Sequence, residues 1–153
     1  MQKTRILFVC HGNICRSPMA EFILKDMVKK ARLADRFIIR SAATSTEEIG
    51  NGLYPPAARC LDGHDIAHTL HRATQIKKSD YGEYDLIIGM DTENMRNMQR
   101  LFSPDPEGKV RSLLNFAGEN RSVSDPWYTR DFETAYRDIY EGCEALLNYL
   151  KKA

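Results

Sequence analysis

The run Cys10-His11-Gly12-Asn13-Ile14-Cys15-Arg16-Ser17-Pro18 puts a thiol, a guanidinium and a hydroxyl into one short loop. The apolar run Ile6-Leu7-Phe8-Val9 precedes it, and a segment of helical periodicity follows it. A cysteine therefore stands where a strand ends, and an arginine stands where a helix begins. Backbone N–H groups between them can turn toward one point, which makes an anion pocket with sulfur at its base. Only a thiolate attacks, and a helix N-terminus with a cation beside it favours that form over the free thiol, which titrates near ~8.5.

Each residue of the loop suits a tetrahedral dianion. Gly12 allows close backbone approach. Asn13 tolerates the left-handed region and can fix the loop with its amide. Arg16 offers a planar fork that matches two phosphoryl oxygens, as lysine does not. Ser17 can donate its hydroxyl to the sulfur. His11 reads as a side chain on the rim rather than a base. The pattern is C-x5-R-S. A nucleotide-binding loop would need Gly-Lys-Ser or Gly-Lys-Thr, which is missing. A thioredoxin-like dithiol would need C-x-x-C, which the spacing of Cys10 and Cys15 is not.

Breaking a P–O bond also calls for an acid to protonate the departing oxygen. Asp125-Pro126-Trp127-Tyr128 is the best candidate. Pro126 stiffens the backbone beside the carboxylate. Trp127 and Tyr128 can wall a cleft and pack on an aromatic ring.

The elements that must position these groups alternate between strand and helix. Residues 5–9 read as a strand buried on both faces. Residues 18–32 carry Ala20, Ile23, Leu24, Met27, Val28 and Ala31 on one helical stripe, with Pro18 as a start signal. Residues 37–39 read as a second strand, 44–56 as a long loop and 57–61 as a short helix. Residues 84–90 read as a third strand. Asp91 then caps a helix with Met95, Met98, Leu101 and Phe102 inside. Residues 110–116 read as a fourth strand, and 131–151 as a last amphipathic helix. This predicts one α/β domain over residues 1–153, a three-layer α/β/α arrangement around a four-stranded parallel sheet. Cys10, Ser41 and Asp91 then fall at the carboxyl ends of strands, where such sheets bind ligands.

A chain of 153 residues with formal net charge +1 has room for a real core and no global field for nucleic acid or anionic membrane. No apolar run is long enough to span a bilayer. Four cysteines, Cys10, Cys15, Cys60 and Cys143, fit reactive chemistry and a reducing cytoplasm better than a disulfide framework. Cys60 and Cys143 read as structural. His64, His68 and His71 are spaced as if along one helical face, which as metal ligands would suggest zinc. No carboxylate or cysteine completes a site nearby in this reading, and no metal or cofactor is expected.

V-C-H-G-N-I-C-R-S-P, with D-P-W-Y far downstream, resembles the low-molecular-weight protein tyrosine phosphatases, over nearly the whole chain. The resemblance implies a flavodoxin-like fold of the phosphotyrosine phosphatase I type. It implies that Cys10 is the nucleophile, Arg16 the phosphate binder and Asp125 the general acid. It implies that Asn13, Ser41 and His71 hold the loop through side-chain hydrogen bonds, and that Ser17 donates to the sulfur. Asp91 matches a carboxylate near the arginine, and Cys15 a second cysteine that can trap Cys10 in a reversible disulfide. Similar loops support thiol-dependent arsenate reduction and protein-arginine dephosphorylation. The arginine-phosphatase branch carries threonine where this chain has Ile14, which favours phosphotyrosine. Glu47 falls where some members place an aromatic residue lining the cleft, so the near wall is expected to be acidic, with Trp127 and Tyr128 opposite. The implied substrates are phosphotyrosine proteins or small aryl phosphates, with inorganic phosphate as product and a monomer as the working form.

Overall fold

A computed structural model of the chain describes residues 2–152. Strand β1 (Thr4–Cys10) pairs in parallel with β2 (Phe37–Ala43) on one side and with a third strand, Leu86–Gly89, on the other. Helix α1 (Arg16–Lys30) crosses from β1 to β2. Helix α2 (Pro55–Gly63) and the one-turn α3 (Asp80–Glu83) precede β3 (Leu86–Gly89). Helix α4 (Thr92–Phe102) leads to β4 (Val110–Ser112), which pairs with β3. The one-turn α5 (Pro126–Thr129) and the long α6 (Phe132–Lys152) complete the chain. The sheet order is β2-β1-β3-β4, all parallel. The chain moves outward from β1 to β2 and then returns to β3 on the far side. Strand order therefore reverses at β1, and a crevice opens beyond its carboxyl end.

The alternation of side chains along β1 explains the three layers. Ile6, Phe8 and Cys10 point to one face, where Met19, Ile23 and Leu24 of α1 and Ile139, Cys143 and Leu146 of α6 cover them. Leu7 and Val9 point to the other face, against Met98 and Phe102 of α4. A strand buried on both sides needs successive apolar residues, as β1 has from Ile6 to Cys10.

The structure departs from the sequence reading at several boundaries. Strand β2 runs on to Ala43. Helix α1 starts at Arg16, so Ser17 lies in its first turn. The expected strand over 110–116 ends at Ser112, and Leu113–Ala117 forms a 3-10 turn. A short apolar run has no period that separates strand from turn. Here Leu113 leaves the sheet and sinks beneath α6, where Gly142 makes room for it. Asp125 ends the loop after β4 and caps α5, a short helix without a counterpart in the sequence reading.

Candidate active site

Cys10 is the last residue of β1 and Arg16 the first of α1. The turn between them needs one left-handed residue, and Asn13 supplies it at φ 59. The carbonyls of Cys10, His11, Asn13 and Ile14 all accept bonds from outside the turn, from Thr44 N, Ser45 N, His71 Nε2 and Tyr54 N. The sulfur side receives the N–H groups. Cys10 Sγ lies 3.3 Å from Asn13 N and 3.4 Å from Ser17 N. Ser17 Oγ lies 3.0 Å from the sulfur. Asn13 Nδ2 donates to that same hydroxyl at 2.8 Å. This fills an oxygen lone pair and leaves the Ser17 proton free to go to the sulfur, the nearer acceptor compared with Ala42 O at 3.4 Å. Three donors thus converge on one buried sulfur.

The loop is held from behind. Asn13 Oδ1 accepts from Thr74 N at 3.1 Å, and His71 Nε2 donates to Asn13 O at 2.7 Å, which fixes the proton on Nε2. Neither Thr74 nor Tyr54 carries a sequence signal that links it to residues 13 and 14.

Arg16 is almost wholly buried. Its Nη1 donates to Val123 O at 3.1 Å, and its Nη2 reaches Asp91 Oδ2 at 2.9 Å and Asp125 Oδ2 at 3.3 Å. Burial works against the guanidinium cation, but Cys10, Asp125 and Asp91 outweigh it and hold the group above its usual range. Each carboxylate divides its oxygens in the same way. Asp91 Oδ1 caps α4 by accepting from Asn94 N at 2.7 Å, in a capping box closed by Asn94 Oδ1. Asp125 Oδ1 caps α5 by accepting from Trp127 N at 3.1 Å. One oxygen of each fixes a helix start, and the other faces the arginine. The D-x-x-N pattern from Asp91 to Asn94 was readable in the sequence, although the expected cap did not include Asn94.

These groups line one cavity of about 420 Å³. Its floor is the loop, and Trp127 and Tyr128 stand on one rim. Trp127 leans on Tyr54 at a centroid distance of 5.2 Å. Glu47, Glu48 and Glu93 also line the cavity and make its wall acidic, and His11 Nε2 lies 2.9 Å from Glu47 Oε2. The sequence reading named Glu47 and missed Glu48 and Glu93, which come together here from two separate segments.

Two expectations need correction, Ser41 as a support of the loop and the lack of a cysteine or carboxylate near His64. Ser41 does not hold the loop; its hydroxyl donates to Glu21 Oε1 at 2.6 Å, because position 41 stops short of the strand end and faces α1. The histidines do not share a face: His68 pairs with Asp62, His71 holds Asn13, and His64 meets Glu133. A cysteine and a carboxylate do lie beside His64, namely Cys60 and Glu133, the latter brought in by α6 from far along the chain. Cys15 is buried beside the cavity; burial, and then the nearby Cys10 and Asp125, push its thiol up to about 12.

The family model described as Low molecular weight phosphotyrosine protein phosphatase matches residues 5–153. The chain is 38% identical over 148 residues to Low molecular weight phosphotyrosine protein phosphatase 1 of Drosophila melanogaster, covering 94% of each chain. It is 34% identical to the Low molecular weight protein-tyrosine-phosphatase YfkJ of Bacillus subtilis, covering 96% of each. The crystal structure of YfkJ superposes with a TM-score of 0.95, covering 99% of this chain and 97% of that one at 33% identity. A Drosophila arginine phosphatase superposes at 0.87, with 31% identity over 95% of this chain and 97% of that one. A match along almost the full length, on a fold that sets cysteine, arginine and two aspartates around one cavity, makes the chain a member of the low molecular weight phosphotyrosine protein phosphatase family.

Proposed function

We propose that this chain hydrolyses phosphotyrosine through a cysteinyl-phosphate intermediate, with Cys10 as nucleophile, Arg16 as phosphate clamp and Asp125 as general acid. The observation that carries the reading is the convergence of three hydrogen-bond donors on Cys10 Sγ beside a buried arginine fork. Cys10 attacks phosphorus in line, and the P–O bond to the tyrosyl oxygen breaks. Asp125 gives its proton to that oxygen. Arg16 and the loop amides hold the three equatorial oxygens as charge spreads over them. In this step a phosphoryl oxygen takes over the Arg16 contact that Asp125 makes at 3.3 Å, while the Asp91 contact continues to aim the fork. Asp125 then takes a proton from water, and the hydroxide displaces Cys10 from phosphorus. Ser17 donates to the departing sulfur. Inorganic phosphate is the product.

Charge neutralisation in this scheme falls to Arg16 and to the backbone, so the chemistry calls on no metal. Trp127 and Tyr128 would flank the phenyl ring of the substrate. The acidic wall of Glu47, Glu48 and Glu93 favours peptides with lysine or arginine beside the phosphotyrosine, an advantage that shrinks as salt is added. Thiol-relay arsenate reduction fits less well. Cys60 faces Glu133 and Cys143 faces Ala20 O in the core, so neither offers the sulfur that would carry oxidation away from the loop.

Steady-state kinetics on phosphotyrosine, phosphoserine and phosphoarginine substrates test the reading. Phosphotyrosine is expected to dominate, Cys10→Ser to be inactive, and Asp125→Asn to slow phosphotyrosine turnover by about 10²–10⁴-fold. In kcat/KM, which reads phosphoryl transfer to Cys10 and not the later hydrolysis shared by both substrates, nitrophenyl phosphate should lose far less, because its leaving group needs little protonation. An Asp125→Asn enzyme whose kcat/KM falls equally on both substrates contradicts the acid assignment. A preference for phosphoarginine contradicts the substrate class.

A further inference from the structure

Away from the loop, three chemically different ligands meet where α2 ends and α6 begins. Cys60 lies in the last turn of α2, His64 follows as its cap, and Glu133 lies in the first turn of α6. Cys60 Sγ is 3.5 Å from Glu133 Oε1, and His64 Nε2 is 3.0 and 2.8 Å from the two carboxylate oxygens. One ligand atom from each residue falls within 4.8 Å of the others. Tetrahedral bonds of about 2.3 Å to sulfur and about 2.0 Å to nitrogen and oxygen place such atoms about 3.3–3.6 Å apart. Small side-chain movements therefore close the set around an ion. The imidazole is already oriented, stacked on Tyr136 at 3.7 Å with an interplanar angle of 5°. The side chains of His64 and Glu133 are 33% and 57% exposed, which gives an ion a route in and leaves its fourth position to water.

We propose that Cys60, His64 and Glu133 form a binding site for one zinc-class divalent cation, separate from the phosphate loop. Thiolate with imidazole selects zinc over magnesium or calcium, which take oxygen ligands. On binding, the Cys60 S–H bond breaks, a sulfur–metal bond forms and the proton passes to solvent, with no change of oxidation state. The ion would tie together positions 73 residues apart and brace the start of α6 next to Phe132, which packs on Tyr54 and through it on Trp127.

Cobalt(II) titration of the full chain, freed of metal and kept reduced without added thiols, tests this directly. The expected result is a tetrahedral cobalt spectrum with a thiolate charge-transfer band, saturating at one ion per chain and discharged by zinc. The band should persist in Cys10→Ser and vanish in Cys60→Ser. His64→Asn and Glu133→Gln should each weaken binding by more than about tenfold, and they read the same loss should Cys60→Ser not fold. Zinc should also raise the melting temperature of the wild type and of Cys10→Ser, and that of the three site variants less or not at all at the same zinc concentration. No thiolate band in the folded wild type overturns the proposal, as does a band that follows Cys10 and survives Cys60→Ser. Cys10→Ser separates this site from the phosphatase reading, because that variant should bind the ion while turning over no substrate.

Discussion

At the scale of residues, four cysteines of one kind in the sequence become four different environments in the fold. Cys10 is ringed by donors at the floor of a cavity. Burial and neighbouring negative charge push Cys15 and Cys60 each up to about 12, and burial alone pushes Cys143 up further. At neutral pH iodoacetamide should therefore label Cys10 first, with inorganic phosphate protecting it, and should leave the other three nearly untouched. Peptide mass spectrometry reads the order; labelling of Cys15 at a rate comparable with Cys10 would contradict it. That Cys10, Arg16 and Asp125 meet around one cavity was legible in the sequence, because the proposed nucleophile, clamp and acid each call for one residue type at a fixed place. Ser41 was misread because a single position along a strand decides whether a hydroxyl meets the loop or Glu21. Glu48 and Glu93 were missed because exposed carboxylates on separate segments carry no spacing signal.

At the scale of elements, two helix starts do most of the positioning. Asp91 and Asp125 cap α4 and α5 while aiming their free oxygens at Arg16. The far end of α4 is fixed differently, by Asp105. Its carboxylate accepts from the Tyr81 hydroxyl at 2.5 Å and from the amides of Lys109 at 2.8 Å and Val110 at 3.2 Å, which settles how the chain enters β4. Burial pushes this carboxyl up, but the Tyr81 hydroxyl and the amides of Lys109, Val110 and Gly108 outweigh it, and the group stands below its ordinary value. A carboxyl with a lowered folded-state value adds stability that is fully present above the unfolded value, about 3.9, and is lost as pH falls through the folded one. The melting-temperature gap between wild type and Asp105→Asn should therefore be widest at neutral pH and narrow below about pH 4. A gap independent of pH would show that the hydrogen bonds to Asp105 do not depend on its charge. Strands β1 to β3 and helices α1, α4 and α6 were readable from their periods; the 3-10 turn at Leu113–Ala117 was not, since its apolar residues fit a strand equally well.

At the scale of the whole molecule, the site exists because strand order reverses at β1 and every contributing segment ends on the same rim. The layer behind that rim is close-packed. A Cβ on Gly142 would lie 2.5 Å from Leu113 Cγ, so α6 approaches the 3-10 turn as only glycine permits. Gly142→Ala should destabilise the fold by about 1–3 kcal/mol in urea unfolding, despite the better helix propensity of alanine. A more stable variant would mean that Leu113 can move aside at little cost. The covalent step itself is the most direct test. Asp125→Asn, mixed with nitrophenyl phosphate and quenched rapidly in acid, should accumulate close to one phosphoryl group per chain, and peptide mapping should place it on Cys10. A quenched enzyme that turns over substrate yet carries no phosphoryl group, or carries it on another residue, would contradict the account.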